Sequence, residues 1–215
     1  MADFSALLRD IRNRCPETEI LEQEPMARHC SFRIGGPCAA MISPASLEEI
    51  GEICRVLYQA GEEPLLIGKG TNLLVTDRPL ERIVLRLGDR FAALEKTGAH
   101  TIRAESGISL AQFATYAAGQ ALAGLEFAHG IPGTLGGAVS MNAGAYGGEM
   151  KDVITAITYL DENLKLQETR DGEFSYRHSR FSDTKAVILA AEVRLFPDTE
   201  EGIRITYCVG EEDEG

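Results

Sequence analysis

The sequence predicts a mixed α and β protein built as two lobes, and three observations carry that reading. Short apolar runs with strand character alternate with stretches of helical periodicity. Two helix starts carry a capping signal, Ser46 with Glu49 and Ser109 with Gln112. Glycine-rich turns interrupt the pattern in both halves of the chain. The expected division is a first lobe over residues 1–77, a second over 78–200, and an acidic tail over 201–215.

Residues 4–14 have the spacing of a short amphipathic helix. The stretch SFRIGGPCAAMI, residues 31–42, reads as strand, Gly-Gly-Pro turn and strand. Leu47, Ile50, Cys54 and Leu57 then recur at helical spacing as far as Gly61. PLLI (64–67) and LLVT (73–76) read as short strands on either side of GKGTN. In the second lobe RIVLRL (82–87) and TIRAE (101–105) alternate like strands, and Leu110, Phe113 and Ala117 lie on one face of a helix that ends at Gly119. A glycine-dense segment follows over 124–150, and VITAITYL and AVILAAEVRL complete the chain as strands around a polar hairpin.

The 215 residues suffice for a buried core, and 44% hydrophobic with 25% charged residues is the composition of a globular chain. No run approaches the roughly 20 apolar residues of a membrane span. The start MADFSALLRDIRNRC mixes charges among its apolar residues, unlike a signal peptide, so a cytoplasmic location is expected. Five cysteines without CxxC spacing point to reduced thiols, and the histidines show no metal-ligand spacing, so no metal is expected. Net charge is −12, and residues 197–215 hold seven acids against Arg204. A chain this acidic repels polyphosphate backbones, which argues against nucleic acid as a partner. Any bound anion must be held by local donors.

The glycines offer such donors. Without a Cβ the backbone can turn to positive φ and admit a ligand, and successive N–H groups can converge into an anion nest. GKGTN (68–72) and GIPGTLGG (130–137) are two loops of this kind, suited to sharing a diphosphate. Neither matches the dinucleotide GxGxxG or the P-loop, and either could be a plain turn. NAGAYGGE (142–149) could offer bare backbone to a flat ring, or could be a surface loop of small residues. In YRHSRF (176–181) strand alternation sends Tyr176, His178 and Arg180 to one face and Arg177, Ser179 and Phe181 to the other. An arginine beside hydroxyls suits a carboxylate or phosphate, though a solvated hairpin has the same pattern. No GxSxG is present, and Ser140 and Ser179 lack a base partner in the sequence.

In order and length, SFRIGGP, GKGTNLLV, GLEFAHGIPGTLGGAVSMNAGAYGGE and YRHSRF resemble the UDP-N-acetylenolpyruvoylglucosamine reductases. The resemblance covers about residues 20–196. It implies an α+β, two-lobe FAD-binding fold of the PCMH and vanillyl-alcohol-oxidase type. It implies cofactor contacts at Gly68, Lys69, Gly70, Thr71 and Asn72, and at Ile131, Pro132, Gly133, Thr134, Gly136, Gly137 and Ala138. Further contacts are implied at Asn142, Gly144, Ala145 and Tyr146. Lys69 stands where the family usually has a small or polar residue.

The implied reaction uses NADPH to reduce FAD, whose N5 then passes a hydride to the enolpyruvyl double bond of a nucleotide sugar in peptidoglycan synthesis. Tyr176 and Arg177 match substrate-binding positions, and Arg177 is the implied catalytic residue. The family's proton-donating serine and its glutamate belong to a C-terminal domain, whose serine motif this sequence lacks. The chain is therefore expected to be the reductase, acting alone as a monomer or with a separately supplied domain, or an FAD-binding module without turnover.

Overall fold

The computed structural model describes residues 4–199, 202 and 203. The chain divides into two compact units, Met1–Phe91 and Ala92–Gly215. The acidic tail and Cys208 fall almost wholly outside the described residues.

In the first unit, α1 (Ser5–Arg14) buries Leu8 and Ile11 and packs on α2 (Leu47–Gln59). The Ser46 hydroxyl accepts from the Glu49 amide at 3.2 Å, and the Glu49 carboxylate reaches back to the Ala45 N–H at 2.7 Å. That satisfies donors the helix start would otherwise leave bare. The apolar stripe of α2, Ile50, Ile53, Cys54 and Leu57, is fully buried. Four strands form the sheet: β1 (Glu19–Glu22), β2 (Cys38–Ser43), β3 (Leu65–Ile67) and β4 (Leu80–Arg86), in the order β1-β2-β4-β3. β2 is buried at every residue, as a strand covered on both faces should be, and it pairs parallel with β4.

Three expectations fail here. The boundary near residue 78 would cut off β4, which runs parallel between β2 and β3 and so belongs to the first unit. Residues 31–34 and 73–76 are not strands. They form two adjacent irregular loops. Gly36 N–H donates to Thr76 O at 2.8 Å, and Arg33 takes φ +53°, which a strand forbids.

The second unit is a five-stranded antiparallel sheet with short helices on one face. Its strands are β5 (Leu94–Lys96), β6 (Thr101–Glu105), β10 (Ile154–Leu160), β11 (Leu166–Thr169) and β12 (Val187–Arg194), in the order β11-β10-β12-β6-β5. Helix α3 (Leu110–Gly119) starts at Ser109, whose hydroxyl accepts from the Gln112 amide at 3.2 Å. A small ladder pairs β7 (Leu122–Ala123) with β13 (Phe196–Pro197). The glycine-dense segment becomes α4 (Glu126–His129), α5 (Leu135–Met141) and the hairpin of β8 (Gly144–Ala145) with β9 (Gly148–Glu149). Ile102, Leu110, Phe113, Leu125, Leu135, Val139, Ile157 and Val193 are among the core that joins helices to sheet. Burying each large side chain of this kind contributes about 1.5–3 kcal/mol.

Candidate functional site

The loop after β3 has the character of a nest. Among the described residues the backbone N–H groups of Gly68, Lys69, Gly70 and Thr71 find no acceptor in the chain. Lys69 and Asn72 are exposed, and the other three residues are half-buried. Four successive donors without partners are unusual in a folded chain and ready for an anion. Gly70 sits at φ +63°, and a Cβ there would lie 2.1 Å from the His29 carbonyl oxygen. The glycine is therefore required by the chain's own backbone, not by ligand approach alone.

The second loop differs. The first two amides of α5, from Leu135 and Gly136, donate to Ile108 O at 2.9 Å and Ser106 O at 2.8 Å. A Cβ on Gly136 would meet the Ser106 Cβ at 2.9 Å, so this glycine serves helix packing. Thr134 and Ala138 are buried, whereas Pro132 and Gly137 are exposed; Ile131 packs partly against the core and Gly133 is half-buried. Gly137 N–H has no acceptor among the described residues. Most of the nest expected here is thus closed by the chain itself.

The NAGAYGGE stretch has an internal explanation too. Asn142 ends α5 in the left-handed region, at φ +43°, and is 3% exposed. Its amide donates to the Glu149 carboxylate at 2.8 Å and to Ser175 O at 3.0 Å, while its oxygen accepts from Lys151 N–H at 3.0 Å. Both amide protons are engaged, which leaves none for a cofactor. A Cβ on Gly144 would lie 2.6 Å from Gly148 O, and one on Gly148 2.8 Å from the Phe127 ring. The glycines close a tight hairpin over Phe127, not a bare platform. Ala145 lies within that hairpin, and Tyr146, at φ +50°, turns it with the side chain about half exposed. Lys151 and Asn142 hold the Glu149 carboxyl below its ordinary range.

YRHSRF is a turn, not a strand. A bridge pairs Ser175 with His178, and Tyr176 and Arg177 stand at its tip, with Arg177 at φ +51°. Tyr176 is 88% exposed. Ser179 is fully buried, and its hydroxyl donates to Ser140 O at 2.8 Å, as the Ser182 hydroxyl does at 3.1 Å. Asn142 holds one foot of the turn and Ser179 the other, so the C-terminal end of α5 carries Tyr176 and Arg177. No sequence pattern announces this staple, because it depends on residues brought together only by folding.

A family model described as FAD binding domain matches residues 38–170, well over half of the chain. The chain belongs to this family. An enzyme from Syntrophus aciditrophicus named UDP-N-acetylenolpyruvoylglucosamine reductase is 42% identical over 194 residues, 88% of this chain and 62% of that protein. The crystal structure of UDP-N-acetylenolpyruvylglucosamine reductase from Thermus caldophilus superposes with a TM-score of 0.76 at 26% identity, over 92% of this chain and 69% of that one. An alkyldihydroxyacetonephosphate synthase structure gives a TM-score of 0.70 at 14% identity, over 91% and 41% of the two chains, a likeness of fold alone. The chain thus spans about three-fifths of the length of the Syntrophus relative.

As a member of the FAD binding domain family the chain has the α+β fold expected, and FAD is its cofactor. The residues present fit that group at one place above all, since the unpartnered amides of Gly68–Thr71 suit a diphosphate. Among the described residues no cluster of three or more His, Cys, Asp or Glu could hold a metal ion. No described helix is long and apolar enough to cross a membrane.

Proposed function

We propose that the chain is the FAD-binding portion of a UDP-N-acetylenolpyruvoylglucosamine reductase that draws on NADPH and acts in the cytoplasm. Its product would be UDP-N-acetylmuramate for peptidoglycan synthesis, and hence for cell-wall biogenesis, cell shape and division. The observation that carries this reading is 42% identity to a reductase of that name along most of the chain. The four free amides after β3 support it physically, as the seat of the cofactor's diphosphate. FAD, when bound, supplies the redox chemistry, and the protein supplies position and field.

Arg177 is the residue we assign to the substrate. Reduction of an enolpyruvyl group builds negative charge towards its carboxylate, and a guanidinium held on a stapled turn stabilises that charge where it develops. We assign Tyr176 beside it to the same ligand, and its exposure at the tip of the turn supports that reading. In the second loop we keep Pro132 and Gly137, both exposed, as candidates for cofactor contact, while Asn142, Gly136 and Gly144 act through the fold.

A second reading, FAD binding without turnover, is favoured by one observation. Ser179, two residues from Arg177, is buried and already bonded to Ser140 O, so it is not set to deliver a proton. One experiment separates the two. Purified protein loaded with FAD is mixed with NADPH, with and without UDP-N-acetylglucosamine enolpyruvate. NADPH oxidation that depends on the sugar nucleotide supports the reductase; none at full flavin occupancy leaves the binding module.

A further inference from the structure

The diphosphate loop is braced from behind by a segment whose geometry rests on one buried side-chain pair. The segment leaves β1, bridges Pro25 to Pro37 and makes a single helical turn over Met26–Arg28. His29 ends that turn, its N–H donating to Met26 O at 2.8 Å. The His29 carbonyl then faces Gly70, so close that a Cβ there would stand 2.1 Å from its oxygen and 3.2 Å from the Cys30 Cα. Ser31 N–H donates to Gly70 O at 3.4 Å, and Gly36 N–H to Thr76 O at 2.8 Å. Residues 29–36 therefore lie against 70–76, and the position of the His29 carbonyl sets how near the loop can come.

The His29 side chain turns back across this segment. Its Nε2 lies 2.9 Å from the Glu24 carboxylate, and both side chains are mostly buried, at 15% and 13% exposure. Arg28 adds a longer contact to the same carboxylate at 3.6 Å. Glu24 is itself fixed to the sheet, its carbonyl accepting from Cys38 N–H at 2.9 Å at the start of β2. The bond closes a loop of six residues, Glu24 to His29, and removes the freedom the His29 peptide would otherwise have.

We infer that Glu24 and His29 are positioning residues for the anion loop, setting the spacing of the Gly68–Thr71 amides through the His29 carbonyl and Ser31. Neither touches the ligand. The inference rests on the reading that these amides hold the cofactor's diphosphate, and its effect falls on phosphate affinity alone.

The test uses the full chain and measures ADP and adenosine as competitors of bound FAD. In the wild type ADP binds more tightly than adenosine, because only ADP engages the loop. Glu24→Ala and His29→Ala lower that ADP-over-adenosine advantage about tenfold, leaving adenosine affinity in place. His29→Gln, which keeps an N–H donor of similar reach, restores most of it; a merely structural loss would weaken both competitors together. Thermal melts verify folding, and if an alanine variant fails to fold, Glu24→Gln and His29→Gln with Glu24→Leu carry the same comparison. A wild-type ratio retained in the variants that remove the bond overturns the inference and leaves the diphosphate reading intact. A wild type that binds ADP no better than adenosine overturns that reading, and this inference with it.

Discussion

Asn142 and Ser175 lie 33 residues apart in sequence, and the amide of one donates to the carbonyl of the other at 3.0 Å. This bond joins the end of α5 to the turn that displays Tyr176 and Arg177. Its Asn142 end is buried, and it shares its donor group with the bond to Glu149.

Replacing Asn142 by glycine removes that connection together with the side chain's bonds to Glu149 and Lys151, and adds no backbone strain, because glycine accepts the φ of +43°. The Lys151 amide and the Ser175 carbonyl then lose their partner, and each lost hydrogen bond costs about 0.5–1.5 kcal/mol. Asn142→Gly should lower stability by about 2 kcal/mol or more in denaturant titration and make the 175–182 turn more readily cleaved by protease. A change below about 0.5 kcal/mol would show that the staple does not hold the turn.

Arg177 tests the chemical reading separately from the fold. Arg177→Ala should keep its bound flavin yet lose about 100- to 1000-fold in substrate-dependent NADPH oxidation. Arg177→Lys should recover little, since a point charge does not reproduce two parallel donors. Flavin content by absorbance and turnover by NADPH loss are read on the same sample. Full turnover in the alanine variant would remove Arg177 from the mechanism.

Gly70 is a sharper probe of backbone than of ligand. Any side chain there points at the His29 carbonyl, 2.1 Å from an ideal Cβ, and must be held at φ +63°. Gly70→Ala should therefore displace the loop and the 29–36 segment together, costing about 1–3 kcal/mol from strain as well as lowering FAD content. Hydrogen exchange would show new openings on both segments. If flavin is lost while exchange at 29–36 stays unchanged, the two loops are not coupled as described.

The parts of this molecule that were legible in the sequence are those fixed by neighbours in the chain. Ser46 with Glu49 and Ser109 with Gln112 announce their helices, because a cap needs only three residues of reach. Of the Leu47, Ile50, Cys54 and Leu57 spacing, equally local, the last three are fully buried and Leu47 half-buried. What was not legible depends on distant pairing. LLVT and SFRI have strand composition, yet Arg33 N–H turns back to Cys30 O, Ser31 N–H goes to Gly70 O, and the Thr76 carbonyl accepts from Gly36 N–H. β4 looked like the start of a second lobe until its parallel partners β2 and β3 were known. The glycines of 136, 144 and 148 looked like ligand space and are close approaches of the chain to itself.

Cys54 gives a prediction on pH. Its thiol is wholly inside the first unit, against α2's own apolar stripe, and burial pushes it up to about 12 from an ordinary 9.0. The folded thiol stays protonated where the unfolded thiol ionises. Stability is therefore undiminished below about pH 9 and falls as pH rises from there towards 12, by at most about 1.4 kcal/mol per pH unit for this group. Burial raises Cys15 and Cys38 in the same direction. Denaturant titrations at intervals above pH 9 should show a shallower decline in Cys54→Ala than in wild type, although the variant begins less stable from its cavity. A thiol reagent at about pH 8 should label Cys54 only after unfolding, since the thiolate is the reactive form. Rapid labelling of the native protein at this position, or identical alkaline slopes in the two proteins, would place Cys54 in contact with solvent and contradict the packing of α2.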